Sequence, residues 1–227
     1  MSNQQFHYNA QLWNHLIITL GYFRAILNHL FTKLCTEIFS NYYIGNTYQP
    51  ISGYHEPIFK TRIKVVGGGG VGIYVRSQYE RELCEKLTSI EYKVKHLEFV
   101  AIEVSLEDFW KVLIIGIFRP TGKTPTDILK ELELIFKTAL DTKLPVIIAG
   151  DFNIDVTNVN DALAKKYAAL VNKYNLRMLV REPTRISSKS NALLDHILTN
   201  EEMTSEVTAT VLDCQIAEHQ VTIAEWY

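Results

Sequence analysis

Apolar positions along the chain change period from stretch to stretch, and those changes mark out its elements. Between residues 12 and 31, Leu12, Leu16, Leu20, Phe23, Leu27 and Leu30 recur at helical spacing, which predicts an amphipathic helix packed on a core. Asn14, His15, Arg24, Asn28 and His29 interrupt this run. A central Arg alone costs ~2.5 kcal/mol or more to insert into a bilayer, so a membrane span is not expected. Residues 67–70 are all glycine and predict a flexible loop, after which residues 71–76 alternate as a strand does. Two further apolar runs, 97–104 and 111–118, are joined by a polar turn around Glu107 and Asp108 and predict a hairpin. The turn-rich segment 119–125 follows. Residues 127–140 then place Ile128, Leu132, Ile135, Phe136 and Ala139 on one helical face.

Pro145 opens the short apolar run 146–149, the pattern of a strand buried on both faces. A helix over 161–174 and strands over 176–180, 192–198, 207–211 and 221–226 complete the expected elements. Strands outnumber helices and interleave with them, so the pattern predicts an α/β domain of sheet layers covered by helices.

Composition narrows this reading. The chain has 227 residues, 47% of them hydrophobic, enough for a sizeable core and too many for a disordered chain. With 23 Lys+Arg against 25 Asp+Glu the net charge is −2, so bulk electrostatics do not announce a polyanion partner. Cys35, Cys84 and Cys214 are far apart and form no CxxC pair, which argues against a disulfide framework or a zinc knuckle. Neither a basic leader nor a small-residue cleavage site is evident. An intracellular protein of nucleus or cytoplasm is therefore expected, not secreted.

The residues with chemistry cluster where the strands end. Asp151 and Asn153 lie just past the run 146–149, near one pole of a sheet, where ligands of α/β folds usually bind. Asp and Asn are also ordinary turn formers. Asp195 and His196 interrupt an apolar run; alternation sends them to opposite faces, so only one can share a given pocket. A carboxylate in a strand interior requires a partner. Glu218 and His219 precede the last strand. A His beside a carboxylate is a positioned acid, a phosphate-stabilising cation or a surface pair.

In combination these motifs resemble a known family. The order Gly150-Asp-Phe-Asn153, Pro183-Thr-Arg185, Leu194-Asp-His-Ile-Leu-Thr-Asn200 and Glu218-His219 is similar to the endonuclease/exonuclease/phosphatase superfamily, and within it to the endonuclease domain of non-LTR retrotransposons. Gly68 to Arg76 resembles that branch's Gly-Gly-Gly-Val-x-Ile-Tyr-Val-Arg. Gly53-Tyr54, Thr36-Glu37-Ile38-Phe39 and Tyr8-Asn-Ala-Gln-Leu12 are looser matches upstream. The resemblance implies a deoxyribonuclease I-like, four-layer fold: a two-sheet β-sandwich flanked by helices, here one domain of residues 1–227 whose first 60 residues are divergent.

It also implies Mg²⁺, or Mn²⁺ in its place, in one acidic pocket, and DNA as substrate, with no membrane and no small-molecule cofactor. Carried over by position, Glu37 matches the main metal ligand, Asn9 a nearby polar ligand, and Glu218 a metal-proximal carboxylate. Asp151 matches the residue that orients or deprotonates the attacking water, with Asn153 beside it. Asp195 matches the carboxylate holding the catalytic His219, while His196 is the neighbour outside the pocket. Arg76, Arg119, Lys123 and Arg185 flank strand ends or turns near the motifs and are expected to contact nucleic acid.

Phe118 stands where the family usually has Tyr, and Ala217-Glu218 where it has Ser-Asp. Three readings follow. The leading one is a Mg²⁺-dependent endonuclease. The others are a catalytically impaired relic of that domain with a structural or weak nucleic-acid-binding role, and a phosphatase of the same superfamily.

Overall fold

The alternating and doubly apolar runs pair into two six-stranded sheets. The computed structural model describes residues 16–20, 34–40, 52–61, 70–106, 110–122, 124–187, 190–200, 207–212 and 219–226. The first sheet holds β1 (Leu16–Leu20), β2 (Leu34–Ser40), β3 (Ile58–Thr61), β4 (Gly70–Tyr74), β13 (Val207–Leu212) and β14 (Val221–Trp226), in the order β13-β14-β1-β2-β4-β3. Within it β1 and β2 run parallel, and all other pairs are antiparallel.

The second sheet is built from β5 (Glu80–Leu83), β6 (Glu98–Ser105), β7 (Lys111–Phe118), β8 (Val146–Asp151), β9 (Leu176–Met178) and β12 (Asp195–Asn200), in the order β5-β6-β7-β8-β12-β9. Only β7 and β8 run parallel there. The expected hairpin is the antiparallel β6–β7 pair. Its Glu107–Asp108 turn lies outside the described residues, as do glycines 67–69. A two-stranded ribbon, β10 (Arg185–Ile186) with β11 (Asn191–Ala192), projects ahead of β12.

Alternation divides each central strand between two cores. Val112, Ile114 and Phe118 of β7, Ile147 and Ala149 of β8, and Ile197 of β12 face the first sheet, where Val71 and Ile73 of β4 and Ala224 of β14 meet them. Leu113, Ile115, Ile117, Val146, Ile148 and Leu198 face the other way, onto the helices. Every residue of β8 is buried, as a run without polar alternation predicts.

The helix layer is α2 (Pro125–Leu140) and α3 (Ala162–Lys173), and a short α1 (Glu85–Thr88) lies before β6. In α2, Pro125 opens the first turn, and Ile128, Leu132, Ile135, Phe136 and Ala139 bury the expected face. In α3, the Asp161 carboxylate caps the first turn by accepting from Ala164 N at 2.8 Å. One buried carboxylate of this layer was not expected: Glu131 of α2 accepts the backbone N–H groups of Lys95, His96 and Leu97, which pins the chain entering β6. Among the described residues these helices pack on the second sheet.

The helix expected over 12–31 is corrected at Leu16–Leu20, which is a strand; the rest of that stretch lies outside the described residues. Ile17, Ile18 and Thr19 are β-branched and favour the extended chain. Ladders on both sides, Ile18 opposite Ala224 in β14 and opposite Thr36 in β2, outweigh the helical spacing of the leucines. Among the described residues no helix is long and apolar enough to cross a membrane.

Candidate active site

Strand register alone assembles the centre of the site. Phe118 of β7 is the register partner of Asp151 of β8, and Asp151 is the partner of Asp195 of β12. Cross-strand partners point to the same face, so all three line up at one end of the sheet on the side turned toward the first sheet. Asp151 and Asp195 are both buried. The first sheet delivers His219, whose residue bridges Arg185 of the ribbon just before β14 begins. His219 Nδ1 donates to Asp195 Oδ2 at 2.9 Å. A ligand atom from each of Asp151, Asp195 and His219 lies within 4.8 Å of the other two.

Like charges directly opposite one another on two strands repel, and here they also lie away from water. Burial first, and the Asp195 charge second, raise the pKa of Asp151 from 3.8 to about 7, against the lowering effects of His219 and of the Asn153 hydrogen bonds. For His219, burial alone would lower the pKa. The hydrogen bond and charge of Asp195, together with Asp151, prevail over burial and over the nearby Arg185 charge, so His219 is a stronger base than an exposed imidazole.

The Asp151 shift has a consequence for stability. A carboxyl whose folded pKa lies above its unfolded value favours the native state below about pH 4, and that contribution is gone once the pH has risen through 7. With metal removed by chelator, Asp151→Asn should therefore be more stable than the wild type at pH 8, by roughly 2 kcal/mol after allowance for hydrogen bonds the amide makes less well. Urea unfolding at pH 8, 6 and 4 should show this advantage shrink toward acid. A difference that stays constant with pH would contradict the assignment.

Asn153 holds Asp151 from the turn beyond β8. Its N–H donates to Asp151 Oδ1 at 2.9 Å, and its Nδ2 donates to Asp151 Oδ2 at 3.1 Å and to the Arg119 carbonyl at 2.9 Å. The backbone at Asn153 has φ 49°, a left-handed conformation that Asn tolerates better than most residues.

Thr184 was not anticipated by role, although it lies in Pro183-Thr-Arg185. It is fully buried; its Oγ1 accepts from Leu194 N at 3.0 Å and Asp195 N at 2.9 Å, and its carbonyl accepts from Gln220 N at 2.6 Å. One threonine thus ties the strand of Asp195 to the residue following His219. Threonines are too common as turn and strand residues for its type to give this away, and both partners are remote in sequence.

His196 points to the opposite face, as alternation requires. Its ring stacks on Phe152 and Tyr167 with centroids 5.0 and 5.3 Å away. Nε2 donates to the Leu193 carbonyl at 3.1 Å, which leaves Nδ1 to accept from the Tyr167 hydroxyl at 3.0 Å. Burial, outweighing the Leu193 and Ile154 carbonyls and the Asp195 and Asp155 charges, lowers its pKa to about 4. It is a neutral core histidine.

The expected nucleic-acid contacts divide. Arg119 is buried, with its guanidinium turned into the protein. Arg185 is half-buried beside His219, and Arg76 lies 5.8 Å from the Tyr54 ring centroid in a cation–π arrangement. Lys123, Asn9 and Glu218 lie outside the described residues. Glu37 lies in β2, between Thr19 of β1 and Tyr74 of β4, and β2 packs across the sandwich from β8. Phe118 is buried beside Asp151 and presents a ring without a hydroxyl.

The donor set suits a hard divalent cation. Two adjacent buried carboxylates and an imidazole bring three ligand atoms within 4.8 Å of one another, and the carboxylates supply the oxygen ligands such a cation prefers.

No curated protein sequence matches the chain. A family model described as endonuclease-reverse transcriptase matches residues 112–223, the segment that supplies Phe118, Asp151, Asn153, Asp195 and His219. The endonuclease domain of TRAS1, a telomere-specific non-LTR retrotransposon, superposes with a TM-score of 0.71 at 12% identity, covering 93% of this chain and 98% of that one. The Xenopus laevis APE2 catalytic domain gives 0.63 at 14% identity over 92% and 91% of the two chains. A Bacteroides thetaiotaomicron mannosyl-6-phosphatase gives 0.52 at 14% identity, over 85% of each. At these identities the superpositions show the fold alone, one shared with endonuclease/exonuclease/phosphatase proteins, and the family match makes residues 112–223 similar to the endonuclease-reverse transcriptase family.

Proposed function

We propose that the protein is a Mg²⁺-dependent endonuclease that nicks DNA, with residues 1–227 acting as one domain. The observation that carries this reading is the buried Asp151–Asp195 pair with His219 bonded to Asp195. Asp151, whose pKa near 7 suits proton transfer at neutral pH, accepts the proton of the attacking water, which Asn153 helps to orient. His219, kept basic by Asp195, is cationic for part of the time at neutral pH and donates from Nε2 to a phosphate oxygen as charge develops there.

Glu37, with Asn9 and Glu218, would hold the cation, and Mn²⁺ substitutes for Mg²⁺. When bound, the cation supplies positive charge at the phosphate undergoing displacement. Arg185, Arg76 and Lys123 meet the DNA backbone; with −2 overall, attraction must be local. The site of action is intracellular, in nucleus or cytoplasm.

The test is conversion of supercoiled plasmid to open circle by purified protein, with Mg²⁺ or with chelator, and with Asp151→Ala as control. Sugar 6-phosphate hydrolysis is measured in parallel. Nicking that needs both the metal and Asp151 is expected. Phosphate release from the sugar without nicking would favour the phosphatase, and neither activity from a folded protein would leave a relic.

A further inference from the structure

We propose that Arg119 is a positioning residue, which holds the Asp151–Asn153 turn in its working geometry from inside the protein instead of binding DNA. Four bonds join the end of β7 to the turn after β8. Arg119 N donates to the Asp151 carbonyl at 2.9 Å, and the Arg119 carbonyl accepts from Asn153 Nδ2 at 2.9 Å. The guanidinium closes the ring, Nη1 donating to the Asn153 carbonyl at 2.7 Å and, more weakly, to the Phe152 carbonyl at 3.4 Å.

This arrangement answers a local difficulty. With Asn153 left-handed at φ 49°, its N–H and side-chain amide both turn back onto the Asp151 carboxylate, and the carbonyls of residues 152 and 153 both take a donor from Arg119. Buried carbonyls need donors, and the planar, permanently charged fork of Arg satisfies two in one position. The residue is 8% exposed, and its Nε is buried with no hydrogen-bond partner among the described residues. A phosphate-binding Arg presents its fork to solvent. This one has spent Nη1 on main-chain oxygens and lies within the electrostatic reach of Asp151 and Asp161.

Since the proposal rests on the endonuclease reading, its test must separate the two. Arg119→Met and Arg119→Lys are measured for nicking rate at saturating DNA, for DNA Kd against salt, and for amide exchange at Asn153. Misplacement of a reacting group by about 1 Å costs about 100-fold, so Arg119→Met should lose about that factor in maximal rate. Its DNA Kd should change less than about threefold, with the same salt slope. Arg119→Lys, which keeps a donor and the charge, should recover about tenfold of the loss.

Asn153 amide exchange should be about tenfold faster in Arg119→Met, while Ile148 in β8 is unaffected. A weaker Kd and shallower salt slope with the maximal rate retained would make Arg119 a DNA contact and overturn the proposal. Reduced stability with an unchanged rate in the folded fraction would overturn it too. If Arg119→Met does not fold, Arg119→Lys carries the same comparisons. Should the wild type fail to nick, the endonuclease reading falls; the positioning role is then decided by Asn153 exchange alone, and unchanged exchange ends it.

Discussion

Asp195→Asn should lower the nicking rate by roughly 10³-fold while leaving the fold in place. The main chain at residue 195 is fixed independently of its side chain, because Thr184 Oγ1 accepts the Asp195 N–H and the ladder to β8 runs through backbone groups. Asparagine has nearly the same volume, so the sandwich loses no packing. What disappears is the charge.

His219 is raised above its ordinary pKa because the Asp195 hydrogen bond and charge, with a contribution from Asp151, outweigh burial; with a neutral amide the two Asp195 contributions are gone and the pKa falls. An amide also offers either an oxygen or an NH₂ to Nδ1, so the tautomer is no longer dictated and Nε2 is not reliably a donor. Asp151 moves as well. Having lost the charge opposite it, its pKa falls from about 7 toward the ordinary carboxylate range, and the base becomes weaker. Both partners in proton transfer are impaired by one substitution, and neither change weakens DNA binding. Single-turnover nicking and DNA affinity in chelator, measured on the same preparation, check this; a rate loss below about tenfold would show that the Asp195–His219 contact is structural.

How much of this site was legible in the chain depended on distance in sequence. The strands β7 and β8 announce themselves through apolar runs and β12 through one interrupted by Asp195 and His196, and Asp151 and Asp195 stand out because each is a charge at or inside such a run. Alternation alone separates Asp195 from His196, and the structure keeps them on opposite faces. The fold class was readable for the same reason.

Pairings between remote segments were not. The spacing of Leu12, Leu16 and Leu20 fits a helix as well as anything local can, yet β14 and β2 flank Leu16–Leu20 and make it a strand. Arg119 follows an apolar run and precedes Pro120, the ordinary context of a surface cation. Its burial depends on two carbonyls more than thirty residues away. Thr184 is similar: a commonplace residue whose role exists only once Leu194, Asp195 and Gln220 have arrived. Residue types pointed to groups that the structure brings together, whereas the residues that hold them, Thr184 and Arg119, take part only through the tertiary structure.

Gly150→Ala should cost more than about 4 kcal/mol, enough to leave a domain of ordinary stability largely unfolded. Gly150 precedes Asp151 in β8, and its register partners are Ile117 of β7 and His196 of β12. A Cβ there would overlap the Ile117 carbonyl oxygen and lie 2.7 Å from the carbonyl carbon and 2.9 Å from the nitrogen of the same residue. All three are main-chain atoms of a central strand, so no rotamer change relieves the overlap. Relief requires β7 and β8 to separate at the point where the ladder carries Phe118 opposite Asp151, and where Arg119 N reaches the Asp151 carbonyl.

Loss of fold and loss of the site are thus the same event. Gly122→Ala is the control: its φ of 79° strains an L residue, but nothing lies within 4 Å of an added Cβ, so a cost of only about 1 kcal/mol is expected. Urea midpoints and soluble yield of the two variants, prepared side by side, decide the matter. If Gly150→Ala unfolds within about 1 kcal/mol of the wild type, the close approach of β7 and β8 at Ile117 is not what holds Asp151 in place.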